Sequence, residues 1–462
     1  MNLRLFYVLF FGVFIINVTG CNEDDVEDFF EGVVEKATLS EEVIDVNEEM
    51  ATVSFKGGKS LNLNVGIGSG AFHYSGDPVD EVYTITDRGP TLSCNNNASI
   101  LGSENFCLVG EEGIGKEGRV FLQSDFTPTI YKLNVNTGGL IGSEVSYKVV
   151  QTIKIKDSDD NFIHGLPNPS QATITERGYD KNGNPLDFDP ESIDPEAIIK
   201  LSNGTFWIAE EYAPSLIHLA ANGRIMERIV PIGIEQELKD ANYRIISALP
   251  AILKKRPLNR GIESLAISPD EQFLYFIMES PLYHSDDAVY QNSRYVRLFK
   301  LSLQNGDLDN VVGEYVYMME KPETFTADDT DKQSDVKISE MLALDTDRLI
   351  ILERVTRHTK LYRVSTLDDA TNILGTEWDI EALSPTSPSL ETLSNLANEG
   401  ITSVGKKQVF DSRNDISDLD FNIEGITLLN NEFLMFINDN EFGINGVKTR
   451  LTISEKGKQL NQ

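Results

Sequence analysis

The chain has 462 residues, 40% of them hydrophobic, which is enough for a large core and excludes a disordered protein. Acidic residues outnumber basic ones by 73 to 40, giving a formal charge of -33. Such a surface repels nucleic acid and anionic lipid, so neither is expected as a direct partner; taken as a whole, the charge also serves solubility.

In chain order, the first segment carries one positive charge at Arg4, an apolar stretch from Leu5 to Val18, and small residues before Cys21. It is too short for a comfortable membrane span and predicts an export signal over residues 1–20. Val18-Thr19-Gly20-Cys21 resembles the lipobox of bacterial lipoproteins, which implies a lipid-modified Cys21 as the mature N-terminus. The alternative is an uncleaved anchor helix. The expected location is the bacterial cell envelope, as an outer-membrane lipoprotein facing the periplasm or the outside, with the lipid as its only membrane contact. Residues 21–50 open on a strongly acidic run and are assigned to a tether, and residues 51–462 to the folded body.

Within the body, five segments share one pattern: a short apolar run opened by an acidic or small polar residue and closed by a carboxylate. They run from Ser69 to Gly89, Glu196 to Tyr212, Glu263 to Pro281, Glu340 to Arg354 and Glu424 to Asn440. Alternating, β-branched and aromatic runs bounded by Asn-Gly, Pro-Asp or Asn-Asn predict strand hairpins. The first four copies are each followed by two more strand-like runs, and four strands per copy make a propeller blade. The last copy has only TRLTIS after it, so ATVSFKGG or SLNLNV, near the start of the body, is expected to complete it. The predicted fold is all-β: a β-propeller with five four-stranded blades visible and room for a sixth, the last blade closed by strands from both termini. Cys94 and Cys107 bracket a polar loop and are expected to pair in an oxidising compartment, a closure worth about 3 kcal/mol.

Longer stretches between copies are expected to form loops on one face. Two of them, Glu235 to Asn259 and Asp368 to Lys407, carry helix-like patterns, the second with Ser387 as N-cap and Pro388 at the first helical position. Asp180, Asn182, Asn184 and Glu191 sit at calcium-loop spacing, but Pro185 stands where the turn wants glycine; Asp157 to Asn161 is a weaker pattern of the same kind.

Inner strands line a propeller's channel, so Glu196, Glu263, Glu340 and Glu424, with Ser69 in the fifth position, should crowd one narrow space. At the second-strand ends, Asp87, Glu210 or Glu211, Glu279, Glu353 and Asp439 should reach the same face. Like charges so close need a cation or hydrogen-bond donors. An excess of hard oxygen ligands favours Ca²⁺, with Mg²⁺ second, and the five histidines are scattered. The competing reading makes each acid a latch that accepts backbone N–H groups of the next blade. The neighbouring arginines could pair with these acids or bind a phosphate bidentately, and Arg88 and Arg354, which directly follow strand-end acids, are the favoured ones.

The series Asp87-Arg88-Gly89-Pro90, Asp194-Pro195-Glu196, Ala209-Glu210-Glu211-Tyr212-Ala213-Pro214, Gly261-Ile262-Glu263-Ser264, Met278-Glu279-Ser280-Pro281, Leu352-Glu353-Arg354 and Asn422-Ile423-Glu424-Gly425 resembles the phytase-like family, also described as having esterase-like activity and widespread among exported bacterial proteins. The resemblance runs from about Leu61 to the C-terminus. It implies a propeller and, by the family's name, hydrolysis of phosphate or other esters. The favoured mechanism is metal-assisted hydrolysis of a phosphate ester on a small molecule by a monomer. Its metal ligands come from Asp87, Glu196, Glu263, Glu279, Glu340, Glu424 and Asp439, and its catalytic groups from Glu211, Glu263, Glu353, Arg88 and Arg354. The rival is a non-catalytic surface propeller that binds a phosphorylated ligand, a glycan or a protein; a third reading is an envelope scaffold.

Overall fold

Short runs of β-branched and aromatic residues, each broken by a tight turn, leave the chain few choices but antiparallel pairing. The computed structural model describes residues 42–460 apart from 47, 56–57, 95–97, 103–105, 108–117, 137–145, 171–174, 382–388, 417, 430–431 and 456. The signal segment, Cys21, the run to residue 41 and the Ser387-Pro388 cap lie outside the described residues.

Among the described residues, five sheets of four or five strands carry the body, beside a three-stranded sheet of Gly178–Asp180, Arg119–Phe121 and Thr91–Ser93 and a two-stranded hairpin. Sheet one runs Gly70–Phe72, Glu81–Ile85, Thr129–Asn136, Ser146–Lys154. Sheet two runs Pro195–Lys200, Phe206–Glu210, Ser215–Leu219, Ile225–Pro231, with Arg244–Leu249 added parallel at its edge. Sheet three runs Ile262–Ile267, Phe273–Met278, Tyr295–Gln304, Asp307–Met318, and sheet four Lys337–Asp345, Arg348–Arg354, Thr359–Val364, Lys406–Asp411. Sheet five runs Ile423–Leu429, Phe433–Asn438, Thr449–Ser454, and takes Glu42–Val46 as its outermost strand.

The first strand of each sheet packs against the first strand of the next, and that of sheet five packs against that of sheet one. Apolar clusters fill the spaces between consecutive sheets. Trp207 and Leu216 meet Phe276 and Phe299 between sheets two and three, and Ile350 and Phe410 meet Leu434 and Phe436 between four and five. Between five and one, Met435 and Ile437 meet Val82 and Leu133. The architecture is all-β and propeller-like.

Three features differ from the sequence reading. The strand that completes sheet five is Glu42–Val46, inside the stretch assigned to the tether; Glu49–Ser54 and Ser60–Asn64 instead form a separate hairpin. The helix pattern of Glu235 to Asn259 resolves into the strand Arg244–Leu249 and a short 3₁₀ turn, Ala251–Lys255, because the exposed edge of Ile225–Pro231 offers that strand a partner. In the second long stretch only the 3₁₀ turns Leu390–Thr392 and Leu396–Glu399 occur among the described residues.

Cys94 and Cys107 are joined in a disulfide. In the loop that follows Gly178–Asp180, the Asp180 carboxylate accepts the backbone N–H groups of Asn182 and Asn184, both at 2.8 Å, and the Asn184 side-chain amide at 2.9 Å. Its oxygens staple a tight turn rather than stand open to a cation. Asp157 does the same for Asp159 and Asn161, and also accepts from Asn242.

Candidate functional site

A hairpin places the start of its first strand beside the end of its second, so equivalent ends of all five sheets gather at one mouth of the ring. A cavity of about 530 Å³ opens there. The acids that line it are Asp87, Asp194, Glu196, Glu211, Glu263, Glu424, Asp439 and Glu441; the cations are Arg88, Arg119, Lys337 and Arg354. Acids thus outnumber cations two to one in its wall.

A shared irregularity aims several of these groups. The pairing of first and second strands slips by one residue between Pro195 and Ala197, Ile262 and Ser264, Ile338 and Glu340, and Ile423 and Gly425. The residues left unpaired are Glu196, Glu263, Ser339 and Glu424. A bulge turns its extra side chain out of the alternation, a device often found beside functional sites. Sheet four is therefore the exception: its bulge residue is Ser339, and Glu340 lies one position further along.

Carrying the register outward sharpens the contrast. Lys337 faces Arg354 across sheet four at the positions that Asp194 and Glu211 hold in sheet two, Gly261 and Glu279 in sheet three, and Asn422 and Asp439 in sheet five. Where its neighbours contribute acids, sheet four contributes two cations and a serine.

The ion pairs follow from this division. Lys337 Nζ lies 2.9 Å from Glu279 Oε1 and 3.9 Å from Glu263 Oε1, and Arg260 Nη1 lies 2.8 Å from Glu279. Arg354 pairs with Glu424 and donates through Nε to Ser339 Oγ at 2.9 Å, while Ser339 donates to Glu263 at 2.8 Å. Arg88 is fully enclosed: it pairs with Glu176, stands 3.4 Å from Asp194 Oδ2, and its guanidinium sits over the rings of Tyr212 and Phe121. Gly261 lets the backbone that carries Glu211 approach, since a Cβ there would lie 2.0 Å from the Glu211 carbonyl oxygen.

Burial first, and neighbouring carboxylates second, push Asp87, Glu196 and Glu211 well above the usual range. The same burial raises Glu263 to about 8, with Glu279 adding to it, Glu424 to about 7 against the pull of Arg354, and Asp439 to about 6. Glu279 goes the other way: against its burial, Arg260 and Lys337 bring it down to about 2. Oxygens of Asp87, Asp194 and Glu196 lie within 4.8 Å of one another, as do oxygens of Glu211, Glu263 and Glu279. Glu211 Oε1 and Glu279 Oε2 are buried and have no hydrogen-bond partner. Both triads are all-oxygen, the donor type a hard divalent cation takes, although Arg260 and Lys337 already neutralise Glu279 and Arg88 stands beside Asp194.

Of the acids and arginines singled out from sequence, Asp87, Arg88, Glu196, Glu211, Glu263, Arg354, Glu424 and Asp439 line the cavity, and Glu279 joins Glu211 and Glu263 in the second triad. Two lie elsewhere. Glu353 points away and takes the Tyr317 hydroxyl at 2.6 Å, the Glu320 N–H at 2.7 Å and Lys406. Glu340 is sealed among the first strands, where it accepts the N–H groups of its own neighbour Met341 at 3.0 Å and of Ala71 on sheet one at 3.4 Å. Glu210, the other option beside Glu211, is paired with Arg228 at 3.0 Å. Asp194, Lys337 and Ser339 were missed. Asp194 stands two residues before Glu196, and Lys337 two residues before Ser339, a spacing legible only once the bulge is known.

The family model for phytase-like proteins, described as esterase-like activity of phytase, matches residues 111–442. An uncharacterized secreted protein from Arthroderma benhamiae is 23% identical over 237 residues, 45% of this chain and 46% of its own length. The chain thus spans about half the length of that curated relative. Among solved structures, a periplasmic gluconolactonase of Pseudomonas aeruginosa is 11% identical with a TM-score of 0.30, covering 89% of this chain and 98% of that one. A luciferin-regenerating enzyme is 9% identical with a TM-score of 0.28, covering 89% and 95%. With its family match spanning well over half of its length, this chain belongs to the phytase-like family.

Proposed function

We propose that this protein is an exported, lipid-anchored, monomeric hydrolase of small phosphate esters, a five-bladed propeller that works with a divalent cation, Ca²⁺ before Mg²⁺. The observation that carries the reading is the division of charge around the cavity: two carboxylate triads on the acidic sheets, the second with two buried oxygens that have no hydrogen-bond partner, and Lys337 with Arg354 on sheet four. The circuit of first-strand contacts, with Glu42–Val46 added to sheet five, supports five closed blades. The disulfide and the secreted relative support export.

When bound, the cation polarises a phosphoryl oxygen and lowers the pKa of water. The protein's own groups supply the rest. Lys337 and Arg354 hold the non-bridging oxygens, exchanging part of their pairing with Glu279 and Glu424 for the substrate. Glu211 accepts the proton of the attacking water through Oε1, the oxygen without a protein partner. Water oxygen bonds to phosphorus, the phosphorus–oxygen bond to the alcohol breaks, and the alkoxide that leaves takes a proton from bulk water, to which Glu211 later returns the one it accepted. Arg88, held by Glu176 and Asp194, positions the Asp194 side of the first triad.

The test is an assay of the full chain on p-nitrophenyl phosphate and p-nitrophenyl acetate, each with Ca²⁺ and with EDTA. Calcium-dependent phosphate turnover is expected. Turnover of acetate alone assigns a carboxylesterase. No turnover of either, with no calcium-dependent rise in Tm, sinks the hydrolase and leaves a propeller that binds a phosphorylated ligand, a glycan or a protein.

A further inference from the structure

Away from the axial cavity, sheets two and three meet again at the turn that joins Tyr295–Gln304 to Asp307–Met318. Asn305 and Gly306 both take positive φ, 57° and 92°, which makes the turn tight. Trp207 anchors it by donating its indole N–H to the Gly306 carbonyl at 3.0 Å. His218 stacks on Trp207, with centroids 4.5 Å apart and planes 8° from parallel, and is only 1% exposed.

The hydrogen bonds around His218 fix its tautomer. Thr205 uses its one hydroxyl proton on Asn203 Oδ1 at 2.7 Å. Its oxygen, 2.9 Å from His218 Nε2, therefore accepts from the ring, and Nε2 carries the proton. Deep burial disfavours a charged imidazole, so Nδ1 presents a lone pair. That atom is buried with no hydrogen-bond partner, and 3.4 Å away stands Asp307 Oδ1. Directly across the strand pair from His218 is Glu227, held by Arg244 at 3.0 Å. A lone pair facing the Asp307 carboxylate, with Glu227 beside it, is an arrangement that a cation satisfies.

We propose that His218, Glu227 and Asp307 bind a divalent transition-metal ion of the Zn²⁺ class, clipping the sheet-three hairpin onto sheet two. One donor atom from each lies within 4.8 Å of the others. Ligands about 2.0–2.1 Å from a tetrahedral zinc stand about 3.4 Å apart, the separation found between His218 and Asp307. One nitrogen and two oxygens suit zinc-type ions better than Ca²⁺. The Thr205 hydrogen bond to Nε2 is the outer partner that such a histidine ligand commonly has. Asp307, exposed on its outer side, leaves a position open to water. None of the three residues lines the axial cavity, so the two sites are separable.

The test uses the full chain, stripped with EDTA and then saturated with Ca²⁺ to occupy the axial carboxylates. Zn²⁺ is titrated by calorimetry and followed by Tm, with ¹⁵N NMR of the imidazoles. Wild type is expected to bind one equivalent with a rise in Tm and a shift of His218 Nδ1. Asp307→Asn, at an exposed position, is expected to keep the zinc-free Tm, weaken binding by at least about tenfold and abolish the rise. Glu227→Gln gives a second reading of the same loss. The proposal is overturned if wild type takes up no imidazole-bound Zn²⁺, if both variants bind as wild type does, or if Nδ1 is protonated and paired with Asp307 at neutral pH.

Discussion

Glu210 and Glu211 are adjacent and both buried, yet they face different partners. Glu210 belongs to Arg228, which also donates to Ser215 and the Ser192 carbonyl, so Glu210→Ala leaves a charged guanidinium uncompensated. A loss of about 3–5 kcal/mol in urea denaturation is expected. Glu211→Gln instead removes the proposed base from a crowd of acids. Turnover should fall by about 10²- to 10⁴-fold, while Tm in EDTA holds or rises. The acids also set a pH dependence. Glu263, Glu424 and Asp439 hold protons in the folded state up to about 8, 7 and 6, values above those of the unfolded chain. The folded state therefore binds more protons across that range, and stability falls as pH rises from about 4.5 toward 8. Glu279, held at about 2, contributes in the opposite sense only below its unfolded value, losing its share as pH drops from about 4.5 to 2. Melting curves in EDTA should show the fall between pH 4.5 and 8, and saturating Ca²⁺ should flatten it.

At the scale of elements, sheet four decides what the cavity can hold. On the proposed function, replacing Lys337 or Arg354 by Gln removes a charge-assisted contact to the phosphate, and kcat/KM on the phosphate should fall about 10- to 100-fold each. An equal loss on an uncharged ester would argue against a role in holding phosphate. The hairpins themselves were legible in sequence, because alternation and turn residues such as Asn203-Gly204 are local signals. The bulges were not. A slip of one residue leaves no mark in spacing, so Glu340 was set in line with Glu196, Glu263 and Glu424, although Ser339 occupies that position. Strand parity also misplaced Glu353: with Arg354 in the cavity wall, its neighbour in the strand points to the other face. Arg244–Leu249 looked helical because periodicity over a few residues is ambiguous, and the free edge of sheet two settled it.

For the molecule as a whole, sheet five owes its outermost strand to five distant residues. Glu42–Val46 pairs with Thr449–Ser454 from Glu42 opposite Ile453 to Val46 opposite Thr449, across almost the full length of the chain. That the last sheet takes a strand from near the N-terminus is legible in sequence from its missing fourth strand; which segment supplies it is not, because the acid-rich surroundings of Glu42–Val46 suggest only a solvated tether. Ile44 and Val46 enter the apolar cluster between sheets five and one. Removing residues 1–46 should expose the edge of Thr449–Ser454, lower Tm and promote association, which melting curves and light scattering would record.

The same strand has a mechanical meaning. It is the outermost strand of its sheet, bonded on one side only, and it is the first described segment that the chain enters from its N-terminus. A pull applied upstream of Glu42 is carried by this one ladder before any other part of the ring feels it. Directed along the strand, the pull loads all the ladder's hydrogen bonds together; directed across it, the bonds open one at a time. The direction of tension, more than its size, then determines whether the ring stays shut.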